Sequence, residues 1–94
     1  MTHQKDVWVD ATRYTQSKPR GSRKPTAFKI HGDEIGIWVG RHIHAPDSWT
    51  MHCDEVGISS RQLESVDIED AKIEAVELVA RRLQQLSRTV QRWL

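Results

Sequence analysis

The sequence predicts an α+β protein, in which a meander of three or four antiparallel strands packs on one long C-terminal helix. Between residues 26 and 63, short runs of β-forming residues alternate with turn-forming residues. From Ile68 to about Trp93 there is neither glycine nor proline, and apolar residues recur at helical spacing. The 94 residues, 37% of them hydrophobic and 29% charged, are enough for one domain at most.

The first predicted hairpin joins Thr26–His31 to Ile35–His44. Gly32-Asp33 lies between them and has the composition of a two-residue hairpin turn. Directly opposed residues share a face of a sheet, and this register places Ile30 opposite Ile35. The face expected to receive the helix then collects Phe28, Ile30, Ile35, Ile37, Val39 and Ile43.

A second turn is predicted at Ala45–Ser48, because a proline at its second position is followed by aspartate. Trp49–Cys53 would be the third strand and Ile58–Leu63 a short fourth, with Met51 opposite His42. The other face of the sheet then collects His31, Trp38, His42, His44, Trp49, Met51 and Cys53. This face is too apolar for plain exposure and too rich in histidine for an ordinary core. We expect a ligand site or an interface there, formed by Trp38, His42, His44, Trp49 and Met51.

The predicted helix begins after Asp67, which is a suitable N-cap and is followed by acidic residues in the first turn. About 26 residues give a helix of roughly 39 Å, longer than the roughly 33 Å of a ten-residue strand. The sheet therefore cannot cover the whole helix. Val76 and Val79 begin an apolar seam with coiled-coil-like spacing. Its second half is the predicted oligomer interface, formed by Leu83, Leu86, Val90 and Trp93. A twofold dimer is expected, and the tryptophan face of the sheet would extend it to a tetramer.

Residues 1–25 are predicted to be an N-terminal arm, and residues 26–94 the α+β domain. The arm holds a short edge strand at Val7–Val9 and a basic flexible linker at Ser17–Pro25, which has two prolines, a glycine and no apolar side chain. From Ala11 to Gly32 there are six basic residues and no acid. Cations in this segment are candidate contacts to nucleic-acid phosphates, namely Lys18, Arg20, Arg23 and Lys24.

Two histidines on one side of a strand, His42 and His44, form a common metal-ligand arrangement, with Cys53 across the hairpin. A zinc site needs three or four ligands, and this chain offers an incomplete set, so we expect no metal and no cofactor. Thiolate chemistry at Cys53 with His42 as base would need a pocket, and a small meander has little concave volume. The protein is therefore expected not to be an enzyme, with a metal-dependent enzyme at His42 and His44 as an alternative.

The pattern Trp49-Thr50-Met51, then Gly57, then Ile68–Lys72 with Ala75 following, resembles short proteins of prophages and mobile gene cassettes. In those proteins a small sheet ends in a helix that opens with a similar acidic-Ala-Lys stretch. The layout, over residues 26 to 90, is also similar to HicB-type antitoxins and to the N-terminal DNA-binding domains of tyrosine integrases, which place a three-stranded sheet in the DNA major groove. Here the corresponding strands carry histidine and tryptophan instead of a row of Arg and Lys.

Composition and the N-terminal residues also indicate where in the cell the protein is expected. The single cysteine is typical of a reducing cytoplasm, no apolar run is long enough to cross a membrane, and Met1–Asp6 lacks the apolar core of a signal peptide. The sequence thus predicts a cytoplasmic, homo-oligomeric accessory or binding protein associated with phages or mobile elements. The alternatives are a nucleic-acid-binding protein that uses residues 18–24, and the metal-dependent enzyme.

Overall fold

The computed structural model describes residues 5–21, 24–42 and 45–94 and forms a five-stranded antiparallel sheet with one helix. The α+β class is confirmed, but the strand count is five instead of three or four. The strands follow each other in the sheet in the order of the chain. They are β1 (Val9–Asp10), β2 (Ala27–His31), β3 (Gly36–His42), β4 (Ala45–Cys53) and β5 (Ile58–Gln62), and the helix α1 is Ile68–Arg92.

The additional strand is β1, which pairs antiparallel with β2 at the edge of the sheet and places Val9 opposite Lys29. Two further backbone hydrogen bonds extend the contact, from Asp6 N to the His31 carbonyl and from Ala11 N to the Ala27 carbonyl, both 2.9 Å. The arm therefore lies along β2 at the place where the sequence predicts a short edge strand.

The first hairpin has a wider loop than the sequence predicts. Ile30 lies opposite Ile37 instead of Ile35, because the chain closes the loop with a 2.9 Å hydrogen bond from Gly32 N to the Ile35 carbonyl. The shift is by two residues, so Phe28, Ile30, Ile37 and Val39 keep their predicted face; Ile43, predicted on the same face, lies outside the described residues. Phe28 and Ile30 consequently pack against the core as expected.

The second hairpin is where the predicted register is wrong. Residues Ala45–Ser48 belong to β4 and are not a turn, and Met51 lies opposite Val39 instead of His42. The shift is by three residues, with an irregularity between Arg41 and His42. An odd shift exchanges the faces of a strand. Three residues predicted on the open face therefore lie on the helix side, and all three are buried: Trp49, Met51 and Cys53.

The helix begins and ends close to the predicted positions. The Asp67 carboxylate accepts hydrogen bonds from Glu69 N (3.0 Å) and Asp70 N (3.3 Å), which satisfies two of the free N–H groups of the first turn. The first half of α1 packs on the sheet. The buried core joins both layers and consists of Ile37, Val39, Trp49, Met51, Cys53, Val56, Leu63, Ala71, Ala75 and Val79.

The loop between β5 and α1 is attached to the core by two side chains. The indole nitrogen of Trp49 donates to the Val66 carbonyl at 2.8 Å. The Glu74 carboxylate accepts hydrogen bonds from Glu64 N at 2.9 Å and from Ser65 N at 2.9 Å. These bonds fix the point at which the chain turns from the sheet into the helix, and so the direction of α1.

Candidate functional site

The second half of α1 extends past the sheet. Arg82 Nε donates to the carbonyl of Val56 at 3.1 Å, in the short 3-10 turn that follows β4. The apolar residues beyond this bond are exposed although they belong to an apolar face. Their exposed fractions are 40% for Leu83, 36% for Leu86, 48% for Val90 and 75% for Trp93. These four are the predicted interface residues, and the structure places them together on one stretch of helix that the sheet does not cover.

A second apolar surface lies at the other end of the helix, and the sequence prediction missed it. Val7 and Trp8 of the arm face Ile73 and Val76 of α1 across an open groove of about 590 Å³. Ile73 is 59% exposed and Val76 44% exposed. The groove forms because the arm lies along β2; the sequence predicts an edge strand at Val7–Val9 but does not indicate which strand it joins.

One wall of this groove is a lysine held over aromatic rings. Lys72 Nζ lies 4.4 Å from the centre of the Phe28 ring and 5.8 Å from that of Trp8, and it forms a 2.9 Å ion pair with Glu69. A cation over an aromatic face is attracted by the ring's quadrupole. Lys72 thereby connects the helix, the sheet and the arm.

Charge changes sign along α1. From Asp67 to Leu78 there are five acidic residues and one lysine, a formal charge of −4. From Val79 to Leu94 there are four arginines and no acid, a formal charge of +4. The two exposed apolar surfaces therefore lie in regions of opposite charge.

The open face of the sheet carries Trp38 and His52, whose ring centres are 5.0 Å apart. Ser60 N donates to His52 Nδ1 at 3.0 Å. Of the five residues predicted to form a ligand site or an interface, Trp38 is the one that the described structure places on the open face. Trp49 and Met51 are core residues, the side chain of His42 is not described, and His44 lies outside the described residues. His52, which the predicted register places on the opposite face, is the histidine that accompanies Trp38.

The basic segment is partly engaged within the chain. Arg20 forms a 3.3 Å ion pair with Asp10 and lies 5.0 Å above the ring of Tyr14. Burial opposes ionisation of Asp10, but hydrogen bonds from Thr12 and Tyr14 and the charge of Arg20 lower its pKa below the ordinary value. The hydrogen bond to Asp10 raises the pKa of Tyr14. Lys18 and Lys24 are exposed, and Arg23 lies outside the described residues.

The chemistry considered for Cys53 has no support from its surroundings. The thiol is buried in the core, and burial raises its pKa, so the reactive thiolate is disfavoured. Among residues 5–21, 24–42 and 45–94, no three side chains of the histidine, cysteine, aspartate or glutamate type are grouped so that they could hold a metal ion.

Comparison of the chain with protein-family models, curated proteins and solved structures finds no significant match. The resemblance to prophage and gene-cassette proteins therefore stays a prediction. In the part of the chain that the structure describes, α1 is too polar to cross a membrane.

Proposed function

We propose that this protein is a small homo-oligomeric accessory or binding protein that self-associates through the second half of α1. One observation carries the proposal: Leu83, Leu86, Val90 and Trp93 are exposed on the helix beyond the sheet. Burial of a Leu or Val side chain contributes roughly 1.5–3 kcal/mol, so a shared interface removes an unfavourable exposure from both copies. A twofold dimer is the simplest closed arrangement of one self-complementary surface. The association with phages or mobile elements that the resemblance implies is part of the same proposal.

Sedimentation equilibrium at tens of micromolar tests self-association directly. The expected mass is twice the 10.9 kDa of one chain. Leu86→Glu should give a monomer, because it places a charge in the interface that the dimer would bury. Gln84→Glu is the matched control: it adds the same charge at an exposed position roughly 200° away around the helix, and the dimer should persist. A monomer of the parent protein would contradict the proposal, and a dimer that tolerates Leu86→Glu would contradict the choice of surface.

Nucleic-acid binding through residues 18–24 is the weaker candidate, because Asp10 and Tyr14 already engage Arg20. A mobility shift with mixed DNA and RNA tests it, since phosphate contacts lose affinity steeply as salt rises. A salt-sensitive shift that is lost in a Lys18→Ala, Lys24→Ala variant would support this function over the first.

The metal-dependent enzyme is tested by elemental analysis of the purified protein. About one metal ion per chain, lost in the His42→Ala, His44→Ala variant, would support a metal site at this hairpin. Our expectation is no stoichiometric zinc.

A further inference from the structure

A second apolar stripe on α1 connects the two exposed surfaces. It lies beside the face that packs on the sheet. Its positions are spaced three and four residues apart, as in a coiled-coil seam, and all are apolar except Ser87, between Leu83 and Val90. All of its apolar members are exposed: Ile73, Val76, Ala80, Leu83, Val90 and Leu94. The stripe therefore runs from the groove beside Val7 and Trp8 to the C-terminal end of the helix.

The charge along α1 decides how two such stripes can meet. In a parallel pair, the −4 halves would lie beside each other and so would the +4 halves. A pair that overlapped only beyond Arg82 would bring Arg88 and Arg92 of one copy beside the same two arginines of the other, with no acid to offset them. An antiparallel pair centred near Leu83 places residues 72–78, which include Glu74 and Glu77, beside residues 88–94, which include Arg88 and Arg92. With the twofold axis near Leu83 it also has roughly 28 Å of helix in contact, residues 74–92, against roughly 15 Å for the ten residues beyond Arg82.

We infer that a second copy of this chain docks antiparallel along α1, and that the C-terminal end of each helix occupies the other copy's groove between the arm and α1. The inference rests on the proposed function, because it specifies the geometry of the self-association proposed above. The twofold axis passes close to Leu83, so that Val76 of one copy lies opposite Val90 of the other. Trp93 and Leu94 then cover Ile73 and the arm.

Because the interface includes the arm, each copy contributes both a helix end and a groove. The arm residues Val7 and Trp8 are held in place by the hydrogen bonds of β1 to β2, so the groove exists before the partner arrives. The most exposed aromatic residue of the described chain, Trp93, thereby gains an apolar environment that its own copy does not supply.

Disulfide trapping tests this geometry, because the two Cβ atoms of a disulfide must come within about 3.5–4.5 Å. The single variants Val76→Cys and Val90→Cys are mixed and oxidised mildly, and circular dichroism of each confirms that it folds. The mixed Val76→Cys/Val90→Cys disulfide should exceed both self-disulfides severalfold. The parent protein, whose only cysteine is buried, gives the background.

The other outcomes of this experiment show whether the antiparallel geometry or self-association itself is wrong. Self-disulfides of both variants without the mixed product would indicate a parallel pair, and the Val90→Cys self-disulfide alone would indicate a pair of C-terminal ends. Either result, or a dimer without any disulfide, would overturn the antiparallel geometry and leave self-association standing. A protein that sediments as a monomer would overturn both.

Discussion

The indole ring of Trp38 lies directly over Gly40 on the open face of the sheet. The two residues belong to β3 and are two positions apart, so a side chain at residue 40 would point to the same face of the sheet as Trp38. A Cβ atom at Gly40 would overlap the six-membered part of the indole. The absence of a side chain at residue 40 is thus what allows the ring to lie over the backbone there, beside His52.

We expect Gly40→Ala to destabilise the protein by about 1–3 kcal/mol, because the methyl group displaces the Trp38 ring. Chemical denaturation followed by tryptophan fluorescence measures the effect and also reports the new environment of the ring. Gly36→Ala in the same strand is the control, since a Cβ there meets its nearest atom, the His31 Cβ, at an ordinary 3.5 Å. Equal effects of the two substitutions would show that the close approach of Trp38 is not the cause.

The stability of the protein is expected to depend on the ionisation of Glu74. Burial alone would raise the pKa of this carboxyl, but the hydrogen bonds from Glu64 N, Ser65 N and Ser65 Oγ outweigh it and lower the pKa below the ordinary 4.5. A lowered pKa means that the charged form stabilises the fold above pH 4.5. That contribution is lost as the pH falls through the folded-state value.

Glu74→Gln should therefore reduce the free energy of unfolding at pH 7 by about 1 kcal/mol, and the difference from the parent should shrink as the pH drops below 4.5. Urea denaturation at pH 7 and at pH 3 gives both values. Glu77→Gln, at an exposed position one turn along the helix, should change stability little at either pH. A difference that stays constant with pH would contradict the role of the charged form.

Cys53 should react slowly with thiol reagents while the protein is folded. The side chain is buried, and burial raises its pKa, so at pH 8 little thiolate is present and the reagent has no access. Absorbance-based thiol titration should show release of one equivalent only after denaturant is added. A Ser59→Cys variant, at an exposed position in β5, should give one fast equivalent under native conditions. A fast reaction of the parent would mean that the core opens readily around β4.

The basic linker is expected to be the first site of limited trypsin digestion. Lys18 and Lys24 both precede proline, so cleavage should follow Arg20 or Arg23. Mass spectrometry of the first fragments identifies the cut. Early cleavage after Arg81 or Arg82, within α1, would instead show that the helix is less ordered than the linker.

Features with local causes could be predicted from the sequence. Asp67 is a recognisable N-cap, and the following 25 residues form the helix because no glycine or proline interrupts it. The aliphatic face of β2 and β3 was also predictable, because an error of two residues in the register leaves the faces unchanged. The exposure of Leu83, Leu86, Val90 and Trp93 could be predicted as well, because the helix is longer than the strands that it packs on.

Features decided by distant contacts could not be predicted. The Ala45-Pro46-Asp47 stretch has the composition of a turn, yet it forms the beginning of β4. Because β5 ends at Gln62, opposite Thr50, this end of β4 has no β5 neighbour and can tolerate proline. That one error moved Trp49 and Met51 from the core to the open face. The groove beside Val7 depends on the pairing of β1 with β2, and the sequence predicts the short strand but not the strand that it joins.

The order of the strands has a consequence for how fast this chain can fold. Each strand pairs with its neighbour in the sequence, and the helix then returns onto the strands that precede it, so the sheet needs no crossover connection. Proteins whose contacts are close in sequence lose little entropy on closing loops and fold faster than sandwiches or parallel sheets of similar size. The widest closure within the sheet joins β1 to β2, across residues 11–26. Within the sheet, the hairpins from β2 to β5 therefore close shorter loops than the pairing of the arm, which completes the groove, with β2.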